Sequence, residues 1–193
     1  MVGFGYKTAW LAIRDGDTDR VLAGLGAAPV KAVDWRSGLD RAYVSDDLLV
    51  VTPLVAGWRL VTGRWLLLRE TRVDPVELSE RLDTEVQFFA TDRVSEYHRW
   101  TRAVKGILVR SFAHLGETGQ TLVWLGDPDD AERAVGLPEA LSEPGPHDID
   151  DDDSPSMVIG EQDVMHIAAA WSLDPTTLDN RPAEGPLTLA RIP

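Results

Sequence analysis

The clearest structural signal in this chain is the stretch at residues 85–125, EVQFFATDRVSEYHRWTRAVKGILVRSFAHLGETGQTLVWL. Within it, four short runs are rich in β-branched and aromatic residues, the composition that strands favour. These runs lie at residues 85–90, 95–104, 107–114 and 121–125. The segments between them are short and turn-forming, and turns of this length join antiparallel neighbours. The stretch therefore predicts a four-stranded antiparallel meander.

Outside the meander, short apolar runs alternate with short amphipathic segments. Strands are predicted at residues 7–14, 43–51 and 57–68, and helices at 18–25, 35–41, 74–82, 127–136 and 161–173. The tail after Asn180 is short and proline-rich, and no strand is predicted in it. We therefore predict the α+β class, as a single domain over residues 1–193 with an antiparallel, meander-rich sheet flanked by several short helices.

The composition fits a globular bacterial protein. Hydrophobic residues make up 44% of the chain and charged residues 26%, which argues against wholesale disorder. The absence of cysteine excludes a disulfide scaffold, cysteine-ligated zinc and thiol catalysis. Residues 48–68 approach the length of a membrane span, but Arg59 and Arg64 interrupt them. Because no signal-peptide pattern is visible either, we expect a cytoplasmic protein without membrane association.

The negative charge of the chain is concentrated in one segment. The formal net charge is −13, and residues 116–165 contain 14 acidic residues against one basic residue, Arg133. The rest of the chain carries 18 acidic and 18 basic residues and is therefore neutral. With no basic patch for phosphates, nucleic-acid binding is disfavoured, whereas a basic protein partner fits. The candidate partner-binding residues are Asp127, Asp129, Asp130, Glu132, Asp148, Asp150, Asp151, Asp152 and Asp153.

The most acidic part, within residues 137–156, is predicted to be an exposed loop, because it is rich in proline and carboxylates and poor in large apolar residues. A calcium-binding loop that starts at Asp148 would need glycine at its sixth position and an acid at its twelfth. The sequence has Asp153 and Ile159 there, so the pattern fails. No metal or cofactor is predicted.

A second candidate site lies in the meander. Glu96, His98 and Trp100 alternate onto one face of a predicted strand, and His114 lies on its neighbour. A carboxylate beside imidazoles can serve acid–base chemistry or zinc binding, although no motif supplies a further partner. The pattern favours a polar sheet face interleaved with arginines over a catalytic or metal-binding role.

Tryptophan is abundant, with seven residues in the chain. Trp10, Trp124 and Trp171 lie in apolar runs and are predicted to be core. Trp58 and Trp65, like Trp100, stand beside arginines, so they are candidates to line a groove or ligand pocket with Glu96, His98 and His114. The predicted pocket therefore comprises Trp58, Trp65, Glu96, His98, Trp100 and His114.

Several segments together resemble an uncharacterised family of actinobacterial cytosolic proteins. They are Ala9-Trp10, Trp35-x-x-Gly38-Leu39, Gly57-Trp58-x-Leu60-Val61-x-Gly63, Glu85-Val86-Gln87-x-Phe89 and Ala170-Trp171-Ser172-x-Asp174-Pro175. The resemblance spans most of the chain, so it implies one domain. None of these segments is a catalytic motif, and the family has no assigned activity to carry over.

The sequence is compatible with three functions. The first is an acidic protein-binding module of the immunity or antitoxin type, which neutralises a basic partner. The second is a small enzyme or ligand-binding protein that uses the tryptophan- and histidine-lined pocket. The third is an assembly component whose acidic loop becomes ordered on docking. Because no catalytic motif is present, the sequence favours a binding protein over an enzyme, and it does not indicate an oligomeric state.

Overall fold

The computed structural model describes residues 1–68, 73–141 and 157–193. The carboxylates at Asp148, Asp150, Asp151, Asp152 and Asp153, with most of the loop predicted at 137–156, lie outside the described residues. Among the residues that are described, no helix is long and apolar enough to cross a membrane.

Nine strands form one antiparallel sheet in the described parts of the chain. They are β1 (Thr8–Arg14), β2 (Ala28–Val33), β3 (Leu48–Val51), β4 (Trp58–Thr62), β5 (Glu85–Asp92), β6 (Tyr97–Val104), β7 (Ile107–Leu115), β8 (Gln120–Leu125) and β9 (Leu187–Arg191). Their order across the sheet is β2-β9-β3-β4-β1-β5-β6-β7-β8. The predicted α+β class and the predicted meander, which is β5 to β8, are both confirmed.

Helices cover both faces of the sheet. They are α1 (Thr18–Gly24), α2 (Trp35–Val44), α3 (Pro75–Leu82), α4 (Asp130–Ala134) and α5 (Glu161–Trp171), with short 3-10 helices at Arg64–Leu67, Gly116–Thr118 and Pro175–Leu178. We call the face that α2, α4 and α5 cover the front face; its core contains Trp10, Phe89 and Trp100. The back face, with Leu11 and Phe88, is covered by α1 and α3.

The covering of both faces explains why β1 is almost continuously apolar. Trp10 and Ala12 enter the front core, whereas Ala9, Leu11 and Ile13 enter the back core. All five residues are fully buried. Because successive side chains of a strand point to opposite faces, a central strand between two helical layers needs apolar residues at every position. The near-continuous apolar run at residues 7–14 is therefore the mark of the central strand of this sheet.

Two strand boundaries differ clearly from the expectations. Tyr43 and Val44 belong to the end of α2, so the strand expected at residues 43–51 begins only at Leu48. The strand expected at 57–68 ends at Thr62, and a 3-10 helix follows Gly63. A Cβ at Gly63 would lie 2.6 Å from the carbonyl oxygen of Leu48, so this close approach of two backbones requires glycine.

Two strands, β2 and β9, were not predicted. β9 lies in the proline-rich tail and inserts between β2 and β3, where Leu189 pairs with Lys31 on one side and Val50 on the other. β2 is an edge strand with five exposed residues, so it lacks the apolar alternation that marks a half-buried strand. Both strands depend on pairing between distant parts of the chain, which no local pattern reports.

Candidate functional site

The six residues of the predicted pocket are not brought together in one cavity. Trp58 and Trp100 belong to the front core, where Trp100 is completely buried. Trp65 packs against the back core, so the sheet separates it from them. The arginine that stacks on Trp58 is Arg14 of β1, whose guanidinium lies 4.5 Å from the ring centre, and not its sequence neighbour Arg59. The two tryptophans on β4 and its following turn therefore line no common groove.

His98 and His114 are brought together. They are direct cross-strand partners on β6 and β7, and both side chains are buried. The Oγ1 of Thr91 lies 3.0 Å from Nδ1 of His98 and 3.2 Å from Oε1 of Glu161. Since a carboxylate only accepts, the single hydroxyl proton of Thr91 goes to Glu161, and His98 Nδ1 must donate to Thr91. This network assigns the Nδ1–H tautomer to His98.

Burial disfavours the charged form of both imidazoles. Burial lowers the pKa of His98, and the nearby Glu161 carboxylate opposes this only in part. Burial likewise lowers the pKa of His114. A hydrogen bond to the backbone of Met157 and the negative charge of Glu96 raise that pKa but do not offset the effect of burial. The side chain of Glu96 is exposed, at a turn where its φ of 48° lies in the left-handed region. Over residues 1–68, 73–141 and 157–193, no three His, Asp or Glu side chains are placed to hold a metal ion.

The histidine pair is expected to make the free energy of unfolding depend on pH. Because both folded-state pKa values lie below the ordinary value of 6.5, the unfolded chain takes up these protons first. The stabilisation by the neutral imidazoles is therefore complete above that pH and is lost as the pH falls toward the folded-state values. We expect urea titrations between about pH 8 and pH 5 to show a falling free energy of unfolding.

A double variant separates the histidines from other acid-sensitive groups. His98→Asn with His114→Asn keeps a polar atom near each Nδ1 and removes the titration, so the dependence on pH below 6.5 should flatten. His166→Asn is the matched control, because His166 is exposed on α5 and should leave the dependence unchanged. A dependence that is as steep in the double variant as in the parent would assign it to carboxylates instead.

The four described members of the acidic set divide into two inward-facing and two outward-facing residues. Glu132 is completely buried in the front core, where its Oε1 accepts from Nε of Arg110 at 2.8 Å and from Nε1 of Trp100 at 2.7 Å. Asp129 caps α4, and its Oδ2 accepts from Nε1 of Trp171 at 2.6 Å. These two carboxylates hold α4 to the sheet and to α5, so they do not present their charge to a partner.

Asp127 and Asp130 do reach solvent. Asp130 pairs with Arg133 at 2.9 Å, an exposed contact that contributes little to stability. Asp127 follows directly after β8, and a further exposed acid, Glu117, precedes that strand. Exposed acids therefore stand at both ends of this strand.

That strand, β8, is an edge of the sheet, and its position could not be seen in the sequence. It reads Gln-Thr-Leu-Val-Trp-Leu and carries no charged residue. Leu122 is 47% exposed and Leu125 is 53% exposed. β2, at the opposite edge, contains Pro29 and Lys31, which are devices that prevent further strand pairing. Both edge strands have an irregular register against their inner neighbour. Among the two edges of this sheet, β8 is the one that lacks a charge or a proline.

A groove of about 640 Å³ adjoins β8 on the back face. Leu122 of β8 and Leu115 of β7 form one side, and Phe88 and Arg99 line it farther in. The Arg99 guanidinium lies 4.9 Å from the Phe88 ring centre, so it rests on an aromatic floor. The hydrophobic core of the back face contains no residue of β7 or β8.

Fold and site together define an α+β protein with an antiparallel sheet covered by helices and one uncharged edge between exposed acids. No protein-family model, curated protein or solved structure that was compared with the chain matches it.

Proposed function

We propose that this protein is an acidic protein-binding module that recruits or neutralises a basic protein partner, in the manner of immunity proteins and antitoxins. The observation that carries the proposal is the segregation of charge: residues 116–165 hold a net charge of −13 on an otherwise neutral chain. A single-signed surface attracts an oppositely charged partner before contact and raises the association rate.

The described residues support this proposal by where they place the acids. Glu117, Asp127 and Asp130 are exposed, and they surround the end of the sheet at which β8 leaves Leu122 and Leu125 open to solvent. Protein interfaces combine an apolar centre with a polar rim that steers the partner. The β8 region has this composition, with leucines between carboxylates.

The proposal predicts partner binding that depends on salt and on the acidic segment. The tagged protein is incubated at about 50 mM salt with lysate of the cells that naturally contain it. It should retain a basic protein and release that protein at about 500 mM salt, where screening is strong. Replacing Asp150, Asp151, Asp152 and Asp153 with serine should weaken the purified pair about tenfold at low salt, since solvated ion pairs with a partner contribute ~0.3–0.5 kcal/mol each. Isothermal titration calorimetry of the purified pair measures this.

The matched control removes four exposed acids outside the segment: Asp19→Asn, Asp40→Asn, Glu80→Gln and Glu184→Gln. It changes the net charge by the same amount, so its affinity for the partner should stay close to that of the parent. If both sets of substitutions weaken partner binding equally, the effect comes from the net charge of the protein and not from the acidic segment. Repeated failure to retain any basic protein at low salt would refute the proposed function.

A further inference from the structure

We infer that β8 is a strand-addition site, at which an extended segment of a basic partner pairs with the open edge and places alternate apolar side chains in the back-face groove. The inference rests on the proposed function and deepens it, because it names the surface and the conformation of the bound segment. Main-chain hydrogen bonds to a sheet edge supply affinity in this mode, and pockets for alternate side chains supply specificity.

The first support is the contrast between the two edges of the sheet. An edge strand exposes unpaired N–H and C=O groups, and proteins that must not pair there protect it with lysine, proline or bulges. β2 has Pro29, Lys31 and a register shift between them. β8 carries a comparable register shift against β7, with Leu122 as its extra residue, so the shift does not distinguish the two edges. What distinguishes them is that β8 has neither a charged residue nor a proline along its six residues. The protein thus protects one edge and leaves the other able to pair.

The second support is the back-face groove, which reaches β8 at Leu122 and extends from there over β5 and β6. Cross-strand partners share a face, and the register Phe88–Thr101–Ser111–Leu125 carries the back face out to the edge. Leu122 lines the groove on that same face. An extended segment added beside β8 therefore directs every second side chain to the back face, next to Leu122 where the groove reaches the edge, and the others toward the front.

Charge decides between a basic partner and a second copy of this chain. Two copies of β8 paired antiparallel about a twofold axis would bring Glu117 of one copy beside Asp127 of the other, at both ends of the pair. Like charges directly opposite each other are destabilising. A segment with lysine or arginine at its solvent-facing positions meets opposite charge at both ends instead, so the occupant is a basic extended segment.

The experiment uses defined peptides and the full chain. The probe is a capped octapeptide in which lysine alternates with valine, and the first control has glutamate in place of each lysine. Two further controls carry N-methyl groups at every second residue, in either register, because a methylated amide cannot donate to the edge. In amide NMR titrations at about 50 mM salt, where charges are weakly screened, the lysine peptide should shift and protect the β8 amides.

We expect one methylated register to bind at least tenfold more weakly and the other to bind like the parent peptide, since only one side of an added strand faces β8. The glutamate peptide should not bind. Equal binding by both methylated registers would overturn strand addition while leaving a purely electrostatic basic-partner function intact. Absence of lysine-peptide binding would also overturn strand addition. The capture of a whole basic partner from lysate then tests the proposed function separately.

A matched pair of variants tests the edge itself. Leu122→Lys places a positive charge on the back-face side of β8 and should weaken the lysine peptide at least tenfold. Val30→Lys makes the same change on β2, where Val30 is 49% exposed against 47% for Leu122, and should have no effect. A thermal unfolding measurement on each variant checks that it folds. If the parent protein forms a dimer and Leu122→Lys dissociates it, the edge binds a second copy of the chain, and the inference is refuted.

Discussion

Replacing Glu132 with methionine is expected to lower the free energy of unfolding by about 3–5 kcal/mol, because the change leaves Arg110 as an unpaired charge in the core. Glu132 is completely buried and the side chain of Arg110 is 2% exposed. Their contact joins α4 to β7, and the same carboxylate oxygen also accepts from the indole of Trp100. Urea unfolding at pH 7, followed by circular dichroism, measures the loss.

The double variant Arg110→Met with Glu132→Met should be less destabilised than Glu132→Met alone. Removing both charges removes the cost of burying one without its partner, and apolar side chains of similar length can fill the space. The guanidinium of Arg110 also lies 4.4 Å from the Trp124 ring centre, a stacking position in which methionine can replace part of the contact. A double-mutant cycle gives the coupling between the two positions.

An exposed pair of the same residue types provides the control. Glu77 and Arg81 face each other one turn apart on α3, with both side chains more than half exposed. Glu77→Met should change the free energy of unfolding by about 0.5 kcal/mol or less. A loss at Glu132 no larger than the loss at Glu77 would contradict the structural role that we assign to the buried pair.

The sequence allowed the meander to be predicted, because each of its turns joins strands that are adjacent in the chain. Residues 85–90, for example, correspond closely to β5, whose partner β6 follows after a single turn. β9 could not be found in the same way. Its five residues pair with β2 and β3, more than 130 positions earlier, and Leu187 and Leu189 alone do not form a distinctive pattern.

Asp129 and Glu132 show the same limit in the candidate site. In sequence they stand in a charged segment, and nothing there except their spacing distinguishes them from solvent-facing carboxylates. Glu132 is nevertheless buried against Arg110, 22 positions away, and Asp129 bonds to Trp171, 42 positions away. One local signal was available, since the spacing Asp129-x-x-Glu132 is that of a capping box, and the structure contains that motif.

The edge position of β8 is a property of the whole sheet and therefore could not be predicted. In sequence, residues 121–125 differ little from other strand-like runs, and their apolar character suggested burial. Trp124 is indeed packed against the front core, but Leu122 and Leu125 are about half exposed because no strand follows β8 in the sheet. An exposed apolar edge becomes recognisable only when the complete strand order is known.

Trp171→Ala is expected to lower the free energy of unfolding by about 3–5 kcal/mol, the range for truncating a large buried aromatic residue. The ring is 7% exposed and lies 6.0 Å from that of Phe89 between centres. Its indole donates to Asp129 at the start of α4, and its carbonyl accepts from Nε2 of Gln87 on β5 at 3.1 Å. One residue at the end of α5 thus connects two helices and the sheet.

Trp171→Phe separates packing from hydrogen bonding in this arrangement. Phenylalanine keeps most of the aromatic contact and the backbone bond to Gln87, but it leaves Oδ2 of Asp129 without the indole donor. Because the lost bond goes to a charged acceptor, we expect a cost of about 1.5–3 kcal/mol. Combining it with Asp129→Ala should show strong coupling, whereas Asp34→Ala, which removes the N-cap of α2 elsewhere, should add independently.

Chemical unfolding of these variants also tests whether the segment Ala170-Trp171-Ser172-x-Asp174-Pro175 has a structural role. The described contacts make it structural: Trp171 anchors α5, and Asp174 accepts from the amide of Thr176 to start the next 3-10 helix. A Trp171→Ala protein that loses less than about 1 kcal/mol would refute the anchoring role, since that is the lower end expected for a buried side chain. Loss of partner binding without loss of stability would instead place this tryptophan in the interface.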